Sequence, residues 1–366
     1  MRRILPLFIA LVTSVSHAQT PAPVLTDASA FLHQVTIGNG TDEIRYRQIV
    51  SPIALSIPIT FGNIDIQSAY MRLERRDYAG TEDIHGPMDT QISAEWDLGR
   101  ALITGYVNLP TGSDSLNADE TGLVSGIIRN DLNFPIKTFG QGFDYGGAIT
   151  VAHRVEQWTF SFGGGYVVRG NYSPFETAAD YDPGDELTVT AGAGYSTGGW
   201  TFGLDTNGKL IYVDRISGQP TFRNGKQLMV SGSLNYASRF FKINASITEI
   251  ARFKNRQLVQ GTLLYEMDDS NGNDLRARGY VSLTPFTGIS LFGEGEYKDV
   301  SKNAYDPTDA LFLDAARIWS YGGGLSIQLG KTEALTVRAM RGDGWINDRA
   351  DDVATWNARV AIRLFF

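Results

Sequence analysis

Arg276 and Arg278 stand two residues apart, and Glu294, Glu296 and Lys298 repeat that spacing a little further along. Side chains two apart on an extended chain point to the same side. On neighbouring strands these five would therefore face one another across a single ladder. Charged groups laid out this way have two uses. They either set up a transverse field in a water-filled passage and select what crosses it, or pair with one another and fill the space. Both uses stay open. Nucleophilic chemistry has little to draw on, because the chain has no cysteine and its histidines beyond the leader are His33, His85 and His153. A nucleophile needs a base within hydrogen-bond reach. His153 shares its parity with Trp158, Phe160 and Phe162 on the following stretch, none of which is a nucleophile.

The same parity can be read along the whole chain. Opposite the apolar face of their stretches stand Glu95, Asp97, Asp144, Arg154, Asp205, Lys209, Lys242, Arg276, Arg278, Glu294, Glu296, Lys298, Arg338, Arg359 and Arg363. Charges of both signs on one face call for a hydrated interior, since Arg or Lys against lipid at the midplane costs about 2–4 kcal/mol. Asp180, Asp182, Asp185 and Glu186 form an acidic cluster. The run Asp268–Asp274 resembles a calcium loop but lacks the closing bidentate Glu. Turn chemistry accounts for Asp, Asn and Gly in such places, and a divalent bridge to lipopolysaccharide is the alternative use. No metal site is assigned, and no motif asks for a cofactor.

Elements that could position these residues are clearest at the end of the sequence. In Trp356–Phe366 the even positions are Trp356, Ala358, Val360, Ile362, Leu364 and Phe366, while Arg359 and Arg363 lie among the odd ones. An unpaired apolar edge of this kind invites aggregation in water, whereas lipid on one side and a closing partner remove the problem. A C-terminal amphipathic strand ending in Phe, with Trp356, Leu364 and Phe366 on its apolar face, resembles the assembly signal of Gram-negative outer-membrane β-barrels. That resemblance implies the cell outer membrane. It also implies lipid and lipopolysaccharide as surroundings, and the barrel-assembly machinery and periplasmic chaperones as partners.

The N-terminus agrees with export. Arg2 and Arg3, the apolar run Ile4–Val15 and Ser16-His17-Ala18 have the layout of a signal peptide over residues 1–18. Its apolar run is shorter than the ~20 residues of a spanning helix, and no apolar run of that length follows. The absence of cysteine excludes a disulfide framework. Mean hydropathy of −0.15 suits a barrel that is apolar only at alternate positions. A net charge of −8 argues against a nucleic-acid partner.

Residues 19–30, rich in Pro, Thr and Ala, read as a flexible N-terminus or small plug. From 31 to 366 one unit recurs, an alternating run of about ten residues followed by a turn. Short turns at Thr60–Asn63, Glu156-Gln157, Thr197–Gly199 and Ser238–Phe240 alternate with long polar ones, among them Tyr78–Asp89, Pro110–Gln141 and Arg252–Asn273. The fold class is therefore all-β, a transmembrane antiparallel up-and-down β-barrel of about sixteen strands. The first hairpin turns at Asn39-Gly40, and about fourteen strands remain if Phe31–Gly38 is plug rather than wall. Leu258–Tyr265 is read as part of a long hairpin, which keeps the strand number even. Gly163–Gly165, Gly192, Gly194 and Gly322–Gly324 would leave the wall thin.

The third long loop contains a helix. Leu123, Val124, Ile127, Ile128 and Leu132 fall on one helical stripe, Asn117 and Glu120 are spaced as a capping box, and Pro135 ends the run. Such a helix folds inward and constricts the passage, caps the rim and offers an apolar patch to a hydrophobic solute, or packs on neighbouring loops without a transport role. Leu109-Pro110-Thr111-Gly112 resembles a turn of aromatic-hydrocarbon and phenol-pathway uptake barrels, although the Asn-Pro-Ala hatch of fatty-acid channels is missing. Asp83-Ile-His85 and Asp180-Tyr-Asp182 resemble the acidic and histidine pairs of omptin proteases, but they fall in loops. Outer-membrane phospholipases are similar in architecture only. The expected function is a non-enzymatic channel for small solutes, with a non-conducting structural or adhesive barrel as the alternative.

Overall fold

The computed structural model describes residues 25–38, 43–112, 117, 120–174, 179–309, 311–330 and 332–365. The expected leader, the Asn39-Gly40 turn and Phe366 lie outside the described residues. Alternating sequence becomes a ring of antiparallel strands. These are β1 Leu25–Ile37, β2 Ile44–Ile59, β3 Gly62–Asp77, β4 in two segments (Gly80–Pro87 and Thr90–Asp97), β5 Ala101–Leu109 and β6 Asp144–Val155. The ring continues with β7 Trp158–Val168, β8 Glu186–Thr197, β9 Trp200–Ile211, β10 Gln227–Ala237 and β11 Phe241–Arg252. It is completed by β12 Asp274–Phe286, β13 Ile289–Val300, β14 Ala316–Gln328, β15 Glu333–Ile346 and β16 Asp351–Phe365. β1 pairs with β16 from Leu25↔Phe365 to Ile37↔Val353, which closes a barrel of sixteen strands. Closure gives every wall strand two neighbours, the condition for a sheet in lipid.

The wall starts six residues earlier than the sequence pattern implied, because Leu25–Ala30 belongs to β1 and is neither loose segment nor plug. Its outward side chains Thr26, Ala28 and Ala30 are too small or polar to mark an apolar face. Inward, Ser29 accepts a hydrogen bond from Arg359 at 3.2 Å and Asp27 one from Arg363 at 3.1 Å. The fourteen-strand alternative falls with it.

Two of the long turns are built of strand, the second as the long hairpin its sequence implies. The first segment of β4 pairs with β3 from Asp77↔Gly80 to Tyr70↔Pro87, so Tyr78–Asp89 is a tall hairpin rather than a loop. Arg256–Val259 and Thr262–Tyr265 form a second hairpin, turning at Gln260 and Gly261 with φ of 50° and 80°. Positive φ at both central residues matches the twist of a two-residue hairpin. With Tyr181–Asp182, Asp214–Ile216 and Gln219–Arg223 this hairpin makes a separate five-stranded sheet at the long-loop end. Leu258–Tyr265 is thus outside the wall, and the count stays even.

The outer surface carries an apolar belt bounded by aromatic rings. Near the short-turn end Trp158 lies 4.9 Å from Tyr195 and Trp200 4.6 Å from Tyr236, centroid to centroid. Near the other end Tyr297 and Trp319 are 4.2 Å apart. Amphipathic rings at two heights with exposed Val, Leu, Ile and Phe between them are the pattern of a transmembrane barrel. Among the described residues no helix is long and apolar enough to cross a membrane, so strands alone span it.

Candidate functional site: a loop folded into a charged lumen

The largest insertion leaves β5 at Leu109, enters the barrel and rejoins the wall at β6. Its helix, α1 Thr121–Ile128, begins after Glu120, whose carboxylate accepts the backbone N–H of Asn117 at 2.8 Å. Leu123 and Ile127 of α1 and Leu132, Phe134 and Phe139 beyond it are buried. They pack on inward-facing Val35, Tyr46, Val50, Met71, Leu73, Ile318 and Val353 of β1, β2, β3, β14 and β16. Gly126 lies so close to the Tyr46 ring that a Cβ there would collide with it. Of the helical stripe, Val124 is only partly buried and Ile128 is 53 % exposed. Ile128 is a correction to that stripe: one residue past Ile127 is about 100° round the helix, and so short a helix buries a single face.

The loop is fastened at its base. Where β4 breaks, the Asp89 carboxylate accepts the backbone N–H groups of Gly112 (2.9 Å) and Gln141 (2.8 Å) and the Asn108 amide (2.9 Å). The Thr111 hydroxyl donates to the Met88 carbonyl at 3.1 Å. Thr111 and Gly112 of the Leu-Pro-Thr-Gly turn are therefore part of the fastening. Further in, Gln48 donates to the Ile136 carbonyl at 2.8 Å and Asn133 to Glu296 at 3.1 Å. Lys298 donates to the Asn130 carbonyl, and His33 bonds Asn357 while its ring meets Phe134 edge-on at 5.0 Å.

Beside the loop a cavity of about 440 Å³ is lined by Lys137, Arg276, Arg278, Lys298 and Arg338 against one carboxylate, Glu296. A second, also about 440 Å³, shares Arg278, Glu296, Arg338 and Met340 with it and runs on past Ser233, Asn235, Asn244 and Tyr280. Arg276 is held by Asp274 at 2.7 Å, Arg278 by Glu296 at 3.3 Å and Arg338 by Glu294 at 2.5 Å. Lys137 folds back on the loop, donating to the Asn130 side chain at 2.5 Å and the Ile128 carbonyl at 3.4 Å; burial, then the Arg276 and Arg252 guanidinium groups, push its pKa below the ordinary lysine value. The section is thus polar, with its cations in excess of the carboxylates that pair with them.

The other residues singled out by parity are dispersed. Glu95 and Asp97 line a recess at the short-turn end, where Asp97 accepts the Gly99 N–H at 2.7 Å and serves the turn. Asp205 stands opposite Gly192, which leaves room for its carboxylate. Arg359 and Arg363 are at the β1 seam. On the outer side Trp356 has the Arg341 guanidinium 6.0 Å from its ring centroid, and Leu364 pairs in register with Thr26 and Glu333.

The side chains of the acidic cluster are engaged within the loops. Ser173 donates to Asp180 at 3.2 Å, Arg215 lies 3.5 Å from Asp182, and Tyr166 donates to Asp185 at 2.6 Å. Among the described residues no three candidate ligands converge. His85 lies 3.7 Å from Asp83 on the tall hairpin, and His153 is paired in register with Phe160 on the outer face. Sequence reasoning missed His33, Gln48, Asp89, Asn130, Asn133 and Lys137. One signal was present: β1–β3 carry apolar residues on the inner face as well, as at Ile49-Val50, which calls for something packed inside.

No protein-family model and no curated protein sequence matches the chain. Among solved structures it is similar to OpdK of Pseudomonas aeruginosa with vanillate, at 11 % identity and TM-score 0.44, over 94 % of this chain and 99 % of that one. The anion-selective porin of Comamonas acidovorans matches at 11 % identity and TM-score 0.42, over 94 % and 98 % of the two chains. The CymD monoaromatic hydrocarbon channel matches at 8 % identity and TM-score 0.45, over 95 % and 90 %. These likenesses are architectural, and the functional reading rests on the residues of this chain.

Proposed function

We propose that the chain is a passive channel of the Gram-negative outer membrane for small solutes, favouring anions at the section beside the inward-folded loop. The observation that supports it is the cavity where Lys137, Arg276, Arg278, Lys298 and Arg338 outnumber the carboxylates Glu296, Asp274 and Glu294 that pair with them. A passage of one sign with low-dielectric walls concentrates ions of the other sign, and rings of Arg and Lys select anions. Barrels of that membrane keep short turns in the periplasm and long loops outside, which puts both ends of the barrel wall, Leu25 and Phe365, at the periplasmic rim. The remaining partners follow from that location: lipopolysaccharide and phospholipid around the belt, chaperones and the assembly machinery during insertion. The packed, fastened loop favours a second reading, a blocked barrel with a structural or adhesive role. Purified protein in planar bilayers under a salt gradient separates the two: discrete conductance steps with a chloride-directed reversal potential support the channel, and silence from correctly folded protein supports the blocked barrel.

A further inference from the structure

The outer face of β2 and β3 changes character at one height. Below it the outward positions are Ile49, Ser51, Ile53 and Leu55 on β2 and Ile64, Ile66, Ser68 and Tyr70 on β3; Arg72 stands level with Ile49, Arg47 one row higher opposite Glu74, and Arg45 and Arg76 in the row above that. Arg45 and Arg76 are register partners. Like charges directly opposed across a sheet repel, so the arrangement asks for an anion between them. Some of that demand is met within the chain. Glu43 lies 2.6 Å from Arg45, and Asp83 and Glu74 lie 3.3 and 3.9 Å from Arg72. Arg47 and Arg76 have no hydrogen bond or ion pair among the described residues, and Nε of Arg47 is shielded from water with no acceptor. Other outward cations at this end have their own carboxylates, Arg317 with Asp299 at 2.7 Å and Arg341 with Asp343 at 3.1 Å. The half-exposed Tyr70 ring marks the height as that of lipid headgroups.

We infer that this patch is a binding site for lipopolysaccharide, its phosphorylated sugar held by Arg47 and Arg76 and an acyl chain lying on the strip below around Ile49 and Ile53. Guanidinium groups grip phosphate through two parallel hydrogen bonds. Glu74, in register with Arg47, accepts from sugar hydroxyls, which separates a phosphorylated sugar from a bare phosphate. The assignment rests on the orientation proposed above, because only with the long-loop end outermost does this height meet the outer leaflet.

The test titrates full-length folded protein in detergent with purified lipopolysaccharide, with the same material stripped of its phosphates, with phosphatidylglycerol, and with inorganic phosphate, following the Tm. Lipopolysaccharide is expected to raise the Tm, and the double variant Arg47→Gln/Arg76→Gln to need about tenfold more of it for the same shift. The Arg47→Lys/Arg76→Lys variant, charged but without the fork, should fall between. Equal stabilisation by dephosphorylated material, by phosphatidylglycerol or by inorganic phosphate would overturn the site, as would an unchanged titration in the Gln variant. If that variant does not fold, the wild-type comparison with dephosphorylated lipopolysaccharide decides alone. Conductance of the same samples keeps the two proposals apart: a silent protein that still binds lipopolysaccharide through its phosphates sinks the channel, and a conducting one indifferent to them sinks this site.

Discussion

The cations of the narrow section differ in how free they are to meet a solute. Arg276 is tied to Asp274, which is wholly buried and also has Arg252 at 3.9 Å. Arg278 has a single contact with Glu296 at 3.3 Å and a side chain 56 % exposed. Replacing Arg278 by Glu should therefore move the reversal potential toward cations further than Arg276→Glu, by severalfold in permeability ratio; equal or absent shifts would remove both from the path. Asp274→Ala leaves Arg252, Arg276 and Lys298 without their shared carboxylate. Removing one partner of a buried pair costs about 3–5 kcal/mol, so its unfolding midpoint in denaturant should fall by that equivalent. Which side each charge faces was legible, because a period of two survives any sheet. Which charges meet the loop was not: Lys298 and Asn130, or Gln48 and Ile136, are far apart in sequence and joined only by the barrel's closure.

At the scale of elements, the inward loop is held by one carboxylate at its base and one close approach at its helix. Asp89→Ala removes the acceptor of two backbone N–H groups, a loss of about 1.5–3 kcal/mol, and should make single-channel records noisier and the mean conductance larger. Gly126→Leu should do the same by forcing α1 off Tyr46, and unchanged conductance in both would mean that the loop does not set the opening. The helix itself could be read from its apolar spacing and from Glu120, but its docking face could not. A stripe wide enough to include Ile128 is right for a long surface helix, whereas α1 is short and presses Leu123 and Ile127, with Val124 at their edge, to the wall. The tall β3–β4 hairpin was misread for a related reason: Thr81–His85 is polar enough to pass for loop, and only pairing with β3 makes it strand.

For the whole molecule the decisive property is the division between a lipid face and a lumen face. Val360 lies midway along the outward stripe from Trp356 to Leu364. Val360→Arg should destabilise the folded barrel by about 2–4 kcal/mol, while Ala361→Ser on the lumen face of the same strand should be near neutral; equal effects would contradict the assigned faces. The architecture was legible because closure and two-sided solvation impose alternation on every strand. The early start at Leu25 escaped because Thr26, Ala28 and Ala30 supply no apolar contrast. A positively lined conducting passage shows itself in single channels of the wild-type protein in a potassium chloride gradient. Discrete steps are expected, with current that reverses on the chloride side of zero. Folded, inserted protein that gives no steps, or steps reversing on the potassium side, would contradict it.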